Sequence, residues 1–142
     1  IEIPKFQPFA EKVGRSREMI RQEILKNNYD GWFSWECDTI IPTDALTKLD
    51  RIMEAGNYTM IHANSSARII QEEPPADFDV CLMSKWCLEL YGFLLDYPDM
   101  RSCWAGGEEW LKKQVLKGGG NYIEVYGLIK PIEHLVGPNK QR

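Results

Sequence analysis

The chain has 142 residues, a formal net charge of -4 and a hydrophobic fraction of 44%, which fits one modest globular domain with a packed core. Its 21 acidic against 17 basic residues argue against nucleic-acid binding, which needs a basic face for counterion release, and give no support for a polybasic membrane patch. No apolar run approaches the ~20 residues that span a bilayer, and no signal peptide is visible after Ile1, which stands where a Met would start a chain.

The first predicted element is a helix over residues 8–26. Pro8 suits a first helical turn because its missing N–H needs no partner there. Phe9, Val13, Ile20 and Ile24 recur at helical spacing and form the expected buried stripe. The run from Lys26 to Gly31 ends the helix and turns the chain. Trp32, Phe33, Ser34 and Trp35 then read as a strand. That run is apolar on both parities, so the expectation is a central position in the sheet. A helix over 42–55 follows, with Pro42 near its start, Gly56 at its end, and Ala45, Leu49, Ile52 and Met53 as its stripe.

Further strands are expected over 58–63, 79–83, 122–126 and 128–133, with a possible extended run over 67–70. A helical turn is expected over 86–90, and a helix over 108–116 closed by Gly118, Gly119 and Gly120. Residues 64–66, 72–75 and 98–104 read as turn, loop and irregular chain, and 137–142 as a frayed tail. This order predicts an α/β class, a mixed-sheet α/β/α sandwich, in a single domain over 1–142.

The four cysteines, Cys37, Cys81, Cys87 and Cys103, form no Cys-x-x-Cys pair and accompany only two histidines, which argues against a structural zinc site. Free thiols in a reducing, cytoplasmic setting are the expectation. Cys37 and Cys81 read as small buried hydrophobes.

Three local patterns carry chemistry. Glu36 and Asp38 leave a strand at its carboxyl end, where open α/β sheets bind ligands. Two apart on an extended chain, their side chains share one side. Such carboxylates repel unless a positive charge lies between them, and a divalent cation holding a diphosphate supplies one. The competing reading is that they cap the following loop. In Ala105-Gly106-Gly107-Glu108-Glu109-Trp110 the glycines permit close backbone approach to a ligand just before a helix. The competing reading is capping, since acids in a first turn suit the helix dipole. In Glu133-His134-Leu135, neutral imidazole is a common metal ligand, although a lone histidine is more often a packed or surface residue. Trp104 could stack on a sugar ring or sit at the core's rim. Trp86 and Trp110 read as core or rim, and His62, inside a strand, as structural.

Taken together in this order, these motifs resemble the family two glycosyltransferases of the GT-A type. The resemblance runs from about Val13 to Leu135 and includes the Ile41-Pro42-Thr43-Asp44-Ala45-Leu46 helix start after the acidic motif. It implies a metal-dependent, inverting transfer of a sugar from a nucleotide-sugar donor to a glycan or other acceptor hydroxyl. Asp38 matches the second acid of the family's Asp-x-Asp motif and, with His134, would bind Mn²⁺ or Mg²⁺. Glu36 replaces the first acid and would lie near the ribose or the metal's outer shell. Glu109 matches the general base, with Glu108 as the neighbouring candidate. Gly106, Gly107 and Trp104 would line the substrate, and Arg15 or Arg17 would reach a donor phosphate. The family's opening β-α-β nucleotide unit has no counterpart here, so the implied object is the C-terminal part of such a domain. The alternative is a non-catalytic relative that binds a nucleotide, a glycan or a partner protein.

Overall fold

The computed structural model describes residues 9–64, 80–93 and 106–135. In chain order the elements are α1 (Phe9–Lys26), β1 (Gly31–Trp35), β2 (Thr39–Ile40), α2 (Ala45–Gly56), β3 (Met60–Asn64), β4 (Val80–Ser84), α3 (Lys85–Leu90), α4 (Gly106–Lys117), β5 (Tyr122–Tyr126) and β6 (Glu133–His134). The class is mixed α/β. A four-stranded sheet has the order β1-β4-β3-β5, and β2 pairs with β6 in a separate two-stranded ribbon. β4 is antiparallel to both β1 and β3, while β3 and β5 are parallel. The carboxyl ends of β1, β3 and β5 therefore share one edge of the sheet.

Residues directly opposite in a sheet project to the same face, so the register sorts the side chains into rows. Trp32, Met83, Met60 and Tyr122 form one row, and Ser34, Cys81, His62 and Glu124 form the next on the same face. Ile24 of α1, Cys87 and Leu88 of α3, Phe93, and Leu111 and Val115 of α4 close over that face. Phe33, Leu82, Ile61 and Ile123 point the other way, where Ala45 and Leu49 of α2 cover them with Ile129. Both faces of the sheet thus carry helices. No described helix is long and apolar enough to cross a membrane.

Among the described strands β1 does not lie centrally as expected; it stands at the end of the order. The apolar residues on both parities are explained by cover from above and below: Trp32 packs edge-on against Phe93, with ring centroids 5.5 Å apart, and Phe33 joins the α2 side. Burial of two faces places no requirement on lateral neighbours. Gly31 opens β1 because a Cβ there would stand 2.5 Å from the Met83 carbonyl oxygen.

The inner face of α1 also departs from its predicted stripe. Ile20 is exposed, and Glu18 and Arg21 face α3 instead. Arg21 donates through Nε to Leu88 O at 2.5 Å and through Nη1 to Glu18 Oε1 at 2.7 Å, and Phe93 N–H donates to Glu18 Oε2 at 2.9 Å. Burial alone would raise the Glu18 carboxyl, but hydrogen bonds from Gln22, Phe93 N–H and Arg21, together with the Arg21 charge, hold it below its ordinary value. Burial pushes the neighbouring Cys87 thiol up to about 12, against an opposing pull from Arg21.

Ends differ from expectation in detail. α2 starts at Ala45, whose N–H donates to Pro42 O, and ends at Gly56 as expected, followed by the left-handed cap residue Asn57 with φ 50°. Gly106 and Gly107 lie inside the first turn of α4, not ahead of it. The expected strand over 128–133 is replaced by a bend at Gly127, φ 67°, a buried Ile129, and pairing only at Glu133–His134. The expectations for 65–78 and 98–104 and for the tail lie outside the described residues. Cys81 is buried as expected, but Cys37 is exposed.

Candidate functional site

The β2–β6 ribbon does most to assemble the candidate site. Thr39 pairs with His134 and Ile40 with Glu133, and Leu135 N–H donates to Asp38 O at 2.6 Å. Segments far apart in sequence are thereby laced together directly after the carboxyl end of β1. Two further bonds close the acidic segment into a turn. Thr39 N–H donates to Glu36 O at 3.1 Å, and the Trp35 indole Nε1–H donates to Thr39 O at 2.6 Å. Thr39 itself is buried and anchors the turn.

This turn changes the premise on which Glu36 and Asp38 were expected to converge. The chain is not extended between them, so a shared strand face does not apply. Glu36 Oε1 instead lies 3.7 Å from Arg17 Nη2 of α1, with both side chains partly buried. Arg17 balances the Glu36 charge, while the Asp38 residue is exposed. Arg15, two residues earlier on α1, is partly buried.

α4 reaches the same edge from above. Gly118 to Gly120 turn its end into β5, with Gly120 N–H donating to Val115 O at 2.9 Å, so helix and strand run in opposite directions. Val115 and Leu111, both fully buried, are one turn apart, which is about 6 Å of rise and matches two strand residues at roughly 6.6 Å. Gly106, Gly107, Glu108 and Glu109 form the first turn of α4, at the end of the helix away from β5's start. The side chains of Glu108, Glu109 and His134 lie outside those described, as does Trp104. Among the described side chains no three of His, Cys, Asp and Glu converge on one point. The donor types at the ribbon, a carboxylate at Asp38 and an imidazole at the His134 position, are those that suit a hard or borderline divalent cation.

Beneath this edge lies the polar row. His62 is buried, and its Nδ1 is 3.3 Å from Glu124 Oε1, which is itself largely buried. Trp110 packs against the core on the α1 side. Trp86 is exposed at the opposite end, edge-on to Tyr91 at 6.3 Å. Sequence reasoning missed the Arg17–Glu36 pair and Trp35. The signal for Trp35 was its position: the last strand residue before the acidic turn, read only as core.

Compared with protein-family models, with curated proteins and with solved structures, the chain matches none.

Proposed function

We propose that this chain forms the metal- and acceptor-binding part of a GT-A type glycosyltransferase, which moves a sugar from a nucleotide-sugar to an acceptor hydroxyl with inversion. The observation that carries this reading is the ribbon: Thr39 paired with His134, and Leu135 N–H bonded to Asp38 O, directly after the carboxyl end of β1. In this reading the Asp38 carboxylate and the His134 imidazole hold Mn²⁺ or Mg²⁺. The metal, when bound, neutralises charge developing on the diphosphate leaving group. Glu109, with Glu108 beside it, takes the proton of the acceptor hydroxyl as that oxygen bonds to the anomeric carbon and the carbon–diphosphate bond breaks. Gly106 and Gly107 leave room for the acceptor against the helix backbone. Arg17 fixes Glu36 behind the turn, and Arg15, two residues earlier on α1, is the residue assigned to a donor phosphate.

The test is calorimetry on the natural full-length protein with Mn²⁺ and uridine or guanosine diphosphate. Metal-dependent heat that disappears in Asp38→Asn is the expected outcome; no heat with either nucleotide sinks the proposal. A second reading, a non-catalytic relative that binds a nucleotide, a glycan or a partner protein, draws on the Arg17–Glu36 pair, which occupies one of the two acids. Glu109→Gln separates the two: it abolishes turnover and preserves nucleotide binding in the enzyme, whereas a relative that binds without turnover has no activity to lose.

A further inference from the structure

Trp35 is the last residue of β1 and leads directly into the acidic turn. Trp35 is 56% exposed. Its exposure is not looseness, because the indole Nε1–H is tied to Thr39 O at 2.6 Å. That bond fixes the ring at one edge and leaves its body to solvent. Beside it the outer side of the ribbon carries Ile40 and Leu135, 45% and 57% exposed. The register makes these two diagonal neighbours. Asp38 and Glu133, both exposed, lie on the same ribbon.

We propose that Trp35, bonded across the turn that carries Asp38, is a stacking platform for a pyranose ring. The inference deepens the glycosyl-transfer reading and rests on it for the choice of a sugar. The π face of indole is electron-rich and attracts the polarised C–H bonds on one face of a pyranose. Carboxylates accept hydrogen bonds from ring hydroxyls. Holding the indole in place before binding removes the ordering cost a free side chain would carry. The ring could belong to the acceptor or to the donor; the chemistry at Trp35 is the same for both.

The test follows the indole N–H resonances of ¹⁵N-labelled full-length protein. Trp35 is assigned by the signal lost in Trp35→Phe, or in Trp35→Tyr should the first variant fail to fold. One arm adds methyl glucoside, methyl galactoside and methyl mannoside. The other adds UDP-glucose and GDP-mannose with Mg²⁺, against UDP and GDP with Mg²⁺. A saturable shift of the Trp35 signal with a free glycoside marks an acceptor ring. A shift with a nucleotide-sugar but not its nucleotide marks a donor ring. In either case Trp35→Ala weakens the binding at least about fivefold, the scale of one stacking contact. A Trp35 signal that stays in place in both arms, or unchanged affinity in Trp35→Ala, overturns the proposal. Failure of the transferase reading shows separately, as no nucleotide binding in the UDP and GDP controls, while a glycoside shift at Trp35 still stands.

Discussion

Two adjacent rows of one sheet face behave differently although the same four strands build them. Trp32, Met83, Met60 and Tyr122 form an apolar row near the start of β1, β3 and β5, sealed by Phe93, α3 and the end of α4. Two residues along, Ser34, Cys81, His62 and Glu124 replace them. The second row borders the edge where β1 runs into the acidic turn. A core built for stability alone would repeat the apolar row, because buried polar groups cost free energy unless they are paired. The face therefore grades from packing to polar chemistry within about 7 Å of strand, and this gradient points to the same edge as Asp38, the His134 position and α4.

The largest way to break this contrast is in the apolar row. Met60→Ala removes a side chain with no solvent exposure and is expected to cost about 2–5 kcal/mol in urea unfolding. Ser34→Ala, in the polar row, should cost far less, and equal losses would show that the two rows serve the same purpose. Next in size, His62→Leu takes the imidazole from the Glu124 carboxylate and should destabilise by about 1–3 kcal/mol. A double-mutant cycle with Glu124→Leu should recover part of that loss, since groups in contact are coupled; simple additivity would mean the two do not act as a unit.

A smaller effect is expected at Glu18. Its folded value lies below the ordinary 4.5, so its stabilising contribution is present above that pH. The contribution is lost as pH falls through the folded value. Glu18→Gln should flatten the acid limb of a stability–pH curve, and an unchanged limb would count against the Arg21–Glu18–Phe93 clamp. The smallest expected effect is Asp38→Asn, which should leave the melting temperature unchanged, because the residue is exposed, while removing metal binding. Thiol labelling sharpens the same distinction between surface and core. Cys37 should react at neutral pH, whereas Cys87, held neutral to about 12 and buried, should react only on unfolding.

Much of the layout was legible because burial leaves a period in the sequence. Ala45 and Leu49 marked the inner side of α2, and the β4 run was short and apolar enough to be read as a strand. Helical spacing also located α1 but misjudged its inner face. Ile20 was expected inside, and the Glu18–Arg21 pair took that place by satisfying the Leu88 carbonyl and the Phe93 N–H. Periodicity counts apolar residues, and it cannot register a charged side chain that is buried because a distant backbone group needs it. The candidate site divides the same way. Asp38, Glu109 and His134 became candidates through residue type and order alone, whereas the turn that holds Asp38 was read as an extended strand exit.

By itself the sequence determined the mixed α/β class, the approximate elements and the acidic, glycine-rich and histidine positions, since each depends on neighbours within a few residues. Only the tertiary structure decided that β1 comes last in the order of the described strands, that Arg17 pairs with Glu36, that the Asp38 turn is laced to the His134 segment, and that Trp35 is exposed. These depend on backbone hydrogen bonds and ion pairs between distant segments. Such bonds use groups common to nearly every residue, so they leave no local mark from which their partners could be read.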